Sequence, residues 1–342
     1  MIRRIITMKL FAAALAIGIV ASPPVCAATP EFDAFLQGVR QDALAQGISA
    51  ATIDRALAGI EPIERIIQRD RNQAEFTVTL DTYMSRVVTE QNIARGRTLA
   101  QRHHDVLDKV ARRYGVRPRF ILAIWGIETR FGAVETSTPV IPALATLAFD
   151  NRRPTYFRGQ LMAALKMVDR GYIDLESMTG SWAGAMGQVQ FMPDSYLSFA
   201  VDFDGDGKRD IWHSPADIFA SIANYLAQNG WNDDQTWGRR VQLPGSLAGR
   251  LDALRDPEAK GCRAAREMTT MKPLPEWQQM GVRRADGGAL PARAVPASIV
   301  RLDNSGGASF AVYQNYKSIL AYNCAHLYAI TVGTFADRIG EG

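Results

Sequence analysis

The chain has 342 residues, 47% of them hydrophobic, and a formal net charge of +4. That length allows one large domain or two to three small ones with a real buried core. So weak a positive charge does not argue for nucleic acid. No Lys/Arg cluster with interleaved aromatics, no paired-cysteine zinc motif and no glycine-rich phosphate loop is present, so no nucleic-acid partner is expected.

Arg3, Arg4 and Lys9 precede an apolar run over 10–21, and the small residues Ala27 and Ala28 follow. This is the layout of a secretory signal peptide over 1–28, cleaved after Ala27 or Ala28. The apolar run is short for a membrane span. Export to the periplasm is expected, and Cys26 leaves a lipid-anchored N-terminus as the alternative. Removal of Cys26 leaves Cys262 and Cys324. An oxidising compartment permits a bridge between them, but their separation in sequence leaves the pairing open.

From residue 29 the pattern is helical. Phe32, Phe35, Leu36, Val39 and Leu44 recur at helical spacing, and Ser49 suits the N-cap of a second helix. The stretch 82–114 reads as long helical material, with Gly96 as a possible break. His103 and His104 lie within it. Adjacent histidines point to different sides of a helix, so a solvated face is expected there rather than a metal site. Gly115 and Pro118 then stop one helix and start the next, over about 118–130. Further helices are expected near 142–149, 156–170, 191–201 and 215–229.

From about Arg239 the texture changes to Pro, Gly and Ala, and 298–302 and 309–313 alternate like short strands. Helix returns over 325–339. The expected architecture is mainly α. It has an N-terminal helical domain at 29–115, a core at 116–238, a small β-containing lobe at 239–314, and a C-terminal helical segment at 315–342 that returns to the core.

Within the helix at 118–130 the apolar stripe is Ile121, Ile124 and Trp125, and the same spacing lands on Glu128. The carboxyl therefore lies on the core face, in the last turn. Desolvation and the negative end of the helix dipole both disfavour its charge there. Both raise its pKa, as a general acid near neutral pH requires. A structural ion pair with Arg130 explains the same placement, and the helix alone does not decide between the two.

Asp202, Asp204, Asp206 and Asp210 occupy positions 1, 3, 5 and 9 of a loop with Gly207 at position 6. That is the first part of an EF-hand-like calcium loop, in which alternating oxygens converge on a hard cation. Lys208 at position 7 offers a backbone carbonyl. His213 stands at position 12, where a glutamate is usual, and Asp217 closes the loop from position 16. Structural calcium is the expected ion. No organic cofactor is expected.

Between these features, residues 180–193 read GSWAGAMGQVQFMP. This segment resembles the GxxGAMGxxQFMP signature of lytic murein transglycosylases, in particular the membrane-bound lytic transglycosylase B family. ETRFG at 128–132 looks like that family's catalytic motif. Ala223-Asn224-Tyr225 and Ala321-Tyr322-Asn323 are similar too, and the resemblance covers about residues 30 to 340. It implies a lysozyme-like core and cleavage of the β-1,4 bond between N-acetylmuramic acid and N-acetylglucosamine, with a 1,6-anhydro product and Glu128 as the single acid/base. By the same resemblance Ser181, Gln190, Phe191, Tyr83, Tyr225, Tyr322, Asn323 and Tyr328 line the glycan cleft, and Arg152 and Arg153 meet the muramyl lactate or peptide. Glycan strands are the expected partner, with other cell-wall enzymes as further candidates, and a monomer is expected. The alternatives are a muramidase that hydrolyses the same bond and a non-catalytic peptidoglycan-binding protein. Two features depart from the family pattern. Cys324 and Ala325 follow Asn323 where small polar residues are usual, and His326 is displaced.

Overall fold

The computed structural model describes residues 30–72 and 78–341; the segment read as a signal peptide, with Cys26, lies outside them. Helix α1 (Pro30–Ala45) buries Phe32, Val39 and Ala43. Helix α2 (Ala50–Leu57) begins at Ser49, whose hydroxyl accepts from the Thr52 N–H and donates to Asp169. Helix α3 (Glu64–Arg71) follows.

The expected long helix over 82–114 is three helices: α4 (Leu80–Val87), α5 (Glu90–Arg102) and α6 (His104–Tyr114). Their breaks fall before Thr89, whose side chain caps the Asn92 N–H, and at His103. Gly96 is not a break. It sits inside α5 where a Cβ would come within 2.9 Å of Ile339, so its small size permits close packing. The reading of His103 as solvated is also corrected: its ring lies 5.4 Å from Phe219 and 6.4 Å from Trp125. His104 is exposed, as expected.

Helix α7 (Pro118–Thr129) runs through the main core. All residues from Phe120 to Gly126 are buried, so it presents no single stripe but is apolar all round. Next come β1 (Thr138–Pro139), α8 (Val140–Phe149), α9 (Pro154–Asp169) and β2 (Thr179–Gly180), which pairs antiparallel with β1. Helices α10 (Pro193–Phe199) and α11 (Pro215–Gln228) complete this layer.

The β-containing lobe starts with β3 (Gly238–Gln242), α12 (Gly245–Ala248), α13 (Arg263–Arg266) and β4 (Lys272–Pro273). It continues with α14 (Leu274–Gln279), β5 (Arg283–Arg284), β6 (Pro296–Leu302) and β7 (Ala308–Val312). The strands form an antiparallel sheet in the order β4-β6-β7-β3-β5. Alternation along β6 and β7 sends Val300, Leu302, Phe310 and Val312 into the main core. Ala297, Ile299 and Ala311 face a second, smaller core around Trp277. Both faces of the central strands are therefore covered.

Next come α15 (Gln314–Tyr322), which packs on α11 and α16, and α16 (His326–Gly340), which packs back on α7. Gly333 of α16 lies against the Trp237 ring, with no room for a Cβ. A disulfide joins Cys262, just before α13, to Cys324, between α15 and α16. It settles the pairing that the sequence leaves open. No single helix among the described residues is long and apolar enough to cross a membrane.

Candidate active site

Glu128 sits in the last turn of α7, partly exposed at the end of a buried helix. The chain leaves the helix through Arg130, Phe131 and Gly132, all at positive φ (52°, 59° and 74°). Two consecutive non-glycine residues there are costly. Packing compensates: the Phe131 ring folds back against Gly126 and meets Trp125 edge-on at 5.5 Å. Arg130 is exposed, and no ion pair joins it to Glu128 among the described residues. The carboxyl partner is instead Tyr328 of α16, whose hydroxyl donates to Glu128 Oε1 at 2.6 Å.

Burial raises the Glu128 pKa from 4.5 to about 7, against the opposing pull of the Tyr328 hydrogen bond. Tyr328 is itself pushed well above 10, by burial first and then by the nearby Glu128 charge. It thus remains a donor at any working pH. Among the described residues the buried carboxylates are Asp70 and Asp217, and neither bears on Glu128. Glu135 is exposed.

The loop carrying GAMGQVQF is fastened to α7 by Gln188, which sequence reasoning passed over although it lies inside the quoted motif. Its Oε1 accepts from Trp125 Nε1 at 2.8 Å, and its Nε2 donates to the Trp212 carbonyl. The Thr129 hydroxyl donates to the Gln188 carbonyl at 3.0 Å and accepts from the Gly132 N–H at 3.1 Å. Gly132 is needed for its left-handed φ and because a Cβ would strike the Gln188 side chain. Met186 and Phe191 exchange both backbone hydrogen bonds, closing the loop.

The proposed cleft residues fall into distinct settings. Tyr225 and Tyr322 stand 4.7 Å apart, with Phe191 5.5 and 5.7 Å from them. Tyr322 stacks on Tyr328 at 6.5 Å. The Tyr225 and Tyr322 hydroxyls donate to the carbonyls of Ala321 and Val189 at 2.7 and 2.6 Å. Phe191 is 2% exposed, so its ring backs this wall rather than facing solvent. Ser181 accepts from the Ala183 and Ala185 N–H groups, and Gln190, at φ 52°, donates to the Gly187 carbonyl. Both remain partly exposed. Tyr83 on α4 is partly exposed and bears on the ionisation of Tyr328. Asn323 is exposed at the end of α15.

Arg152 and Arg153 are already engaged. Both pair with Asp70, which is 1% exposed, at 3.0 and 2.7 Å. Arg153 also lies over the Phe157 ring. They bind α3 to the start of α9, an employment the sequence does not reveal.

In the acidic loop, carboxylate oxygens of Asp202, Asp204 and Asp217 lie within 4.8 Å of one another. Asp217 is fully buried and accepts from the Phe203 and Asp210 N–H groups at 2.7 Å. Its pKa is raised by burial and by the Asp204 charge. Three converging acids, one without solvent, form a donor set suited to a hard cation. Asp206 is not in this triad; its side chain accepts from the Lys208 N–H.

A buried helix that ends in one protonatable carboxyl, beside an aromatic wall and a hydrogen-bonded glutamine loop, defines a lysozyme-like glycan-cleaving enzyme. Comparison with known proteins gives the family: the Transglycosylase SLT domain matches residues 31–337, and the chain belongs to it. It is 35% identical over 260 residues to membrane-bound lytic murein transglycosylase B of Escherichia coli (strain K12), spanning 75% of this chain and 66% of that relative. SltB3 from Pseudomonas aeruginosa, solved in complex with NAG-NAM-pentapeptide, is similar over 92% of this chain and 81% of its own, with 41% identity and a TM-score of 0.81. The Escherichia coli lytic transglycosylase Slt35 in complex with calcium is similar over 91% of this chain and 93% of its own, with 27% identity and a TM-score of 0.72.

Proposed function

We propose that this protein is a lytic transglycosylase that cleaves the MurNAc-β-1,4-GlcNAc bond of peptidoglycan, with Glu128 as its only acid/base. The observation that carries the reading is the half-buried Glu128 carboxyl, raised to about 7 and held by Tyr328. At neutral pH a large fraction is protonated. The acid gives its proton to the glycosidic oxygen as the C1–O bond breaks. The leaving sugar departs with its new hydroxyl. The carboxylate then takes the proton of the muramyl C6 hydroxyl, and that oxygen closes on C1 to form the 1,6-anhydro ring. Protons balance and no water is consumed. Tyr328 stabilises the carboxylate between the two transfers. The substrate's N-acetyl group supplies the second function that a partner carboxylate serves in most glycosidases.

Tyr83, Tyr225, Tyr322 and Asn323 are assigned to the cleft, with Ser181 and Gln190 on the loop beneath. Phe191 supports them from behind. Arg152 and Arg153 reach the peptide only with the part of their donors that Asp70 leaves. Asp202, Asp204 and Asp217 hold a structural calcium ion, with Asp206 and the Lys208 carbonyl completing the set; the ion neutralises converging charge and takes no part in the bond cleavage. The complexes of SltB3 and of Slt35 support these assignments by analogy. Export to the periplasm, with Cys26 as the alternative anchor point, follows from the leader sequence.

Mass spectrometry of digested peptidoglycan tests the reading. Disaccharide-peptides lighter by one water than hydrolytic products are expected. Products of full hydrolytic mass would make the protein a muramidase, and no products would leave a peptidoglycan-binding protein.

A further inference from the structure

Helices α15 and α16 meet at a corner of 117°. Tyr322 is the last residue before the corner and Tyr328 lies in the first turn after it. The corner itself is Asn323, Cys324 and Ala325, with extended backbone at both ends (φ −144° and −142°). Across the corner the Tyr316 hydroxyl pairs with His326 Nδ1 at 2.8 Å, and the Asn323 N–H donates to the Ile319 carbonyl at 3.1 Å. The Ala325 N–H donates to the Asn323 carbonyl at 2.8 Å, a loop that spans Cys324 alone. Ala325 offers no side-chain cap to α16, and Asn323 and Cys324 are exposed. Yet each flanking tyrosine must reach a fixed acceptor: Tyr322 the Val189 carbonyl, Tyr328 the Glu128 carboxyl. A few degrees of change at the corner would separate one hydroxyl from its acceptor. The covalent constraint at the apex is the bond from Cys324 to Cys262. Its far end is anchored, because Ala264 and Met268 just beyond Cys262 are buried in the main core.

We propose that the Cys262–Cys324 disulfide positions the active site: it holds the corner so that Tyr322 and Tyr328 meet their acceptors together, and full glycan cleavage requires the oxidised form. This rests on the glycan-cleaving reading of Glu128. The cysteines are positioning residues, acting through Tyr328 on Glu128. Dithiothreitol reverses the constraint. Two electrons and two protons pass to the bridge, the S–S bond becomes two thiols, and the reagent closes into its own cyclic disulfide.

The test compares the intact oxidised protein with the same protein reduced by dithiothreitol, its two thiols confirmed by titration, and with Cys324→Ser and Cys262→Ser. The expected result is a fall in kcat of roughly 10-fold, a smaller change in KM, and an unchanged helical circular dichroism signal at room temperature. The Glu128 carboxyl, followed by carbon-13 NMR, should titrate at higher pH once Tyr328 loosens its hold on the carboxylate. Equal kcat and an unmoved Glu128 titration in the reduced protein overturn the proposal. So does loss of the helical signal on reduction, which would make the bridge a staple of the whole fold. Where the serine variants do not fold, the reduced wild-type protein decides. An oxidised protein without activity would sink the glycan-cleaving reading instead, while the NMR titration would still test the positioning.

Discussion

The Tyr328 hydroxyl and the Glu128 carboxyl, 200 residues apart in sequence, meet at 2.6 Å. The phenol stabilises the anion, burial stabilises the acid, and the outcome is a carboxyl poised at about 7. On the proposed reading, this one group gives and takes a proton within one turnover.

Glu128→Gln should lower turnover of peptidoglycan by about 10²- to 10⁴-fold and keep the fold. Its stability should also report the strained ionisation. The folded-state pKa lies above the unfolded 4.5, so the contribution of the carboxyl is complete below about pH 4.5 and is lost as pH rises through about 7. The variant cannot ionise there. Its melting temperature relative to wild type should rise from acid to mildly alkaline pH. A difference that does not vary with pH would contradict the raised pKa.

Tyr328→Phe keeps the ring and its stacking on Tyr322 but removes the donor. The Glu128 pKa should rise further, because the hydrogen bond opposes burial. The basic limb of the kcat/KM profile should move to higher pH, and kcat should fall by roughly 10- to 100-fold. An unshifted limb would show that the phenol does not govern the acid.

Calcium should raise the melting temperature, and a chelator should reverse it. Free ion at about 100 times Kd adds about 2.7 kcal/mol. Asp204→Asn should weaken this response without lowering the metal-free melting temperature, since it removes a charge that opposes Asp217. Identical melting curves with chelator and with calcium would reduce the loop to an acidic turn.

Gly333→Ala should destabilise the protein by about 1–3 kcal/mol, as overpacking does. The new methyl would displace the Trp237 ring, whose Nε1 donates to Asp337 at 2.8 Å. An unchanged denaturant midpoint would mean that the helix and indole can part at no cost.

The sequence displays local chemistry well. Pro118, Ser49 and the Pro/Gly texture beyond Arg239 mark where helices start and where the strands of the lobe lie, because those residues act on their own backbone. The register of Asp202, Asp204 and Gly207 is legible for the same reason. Glu128 is visible as an acid on an apolar helix, but its partner is not: Arg130 is close in sequence, whereas Tyr328 is brought in by the packing of α16. Asp70 with Arg152 and Arg153, and Cys262 with Cys324, are hidden likewise, since a contact across 62 or 83 residues leaves no periodicity to read. At His103 the ring meets Trp125 and Phe219, a tertiary contact that local propensity does not display.

The chain order of the α16 contact has a further consequence. Glu128 lies in the first half of the chain, yet its hydrogen-bond donor is delivered by the last helix. A polypeptide that is still emerging, or one clipped ahead of residue 326, has the acid without its donor and α7 without its cover. The carboxyl therefore reaches its hydrogen-bonded, covered setting only once α16 has docked on α7.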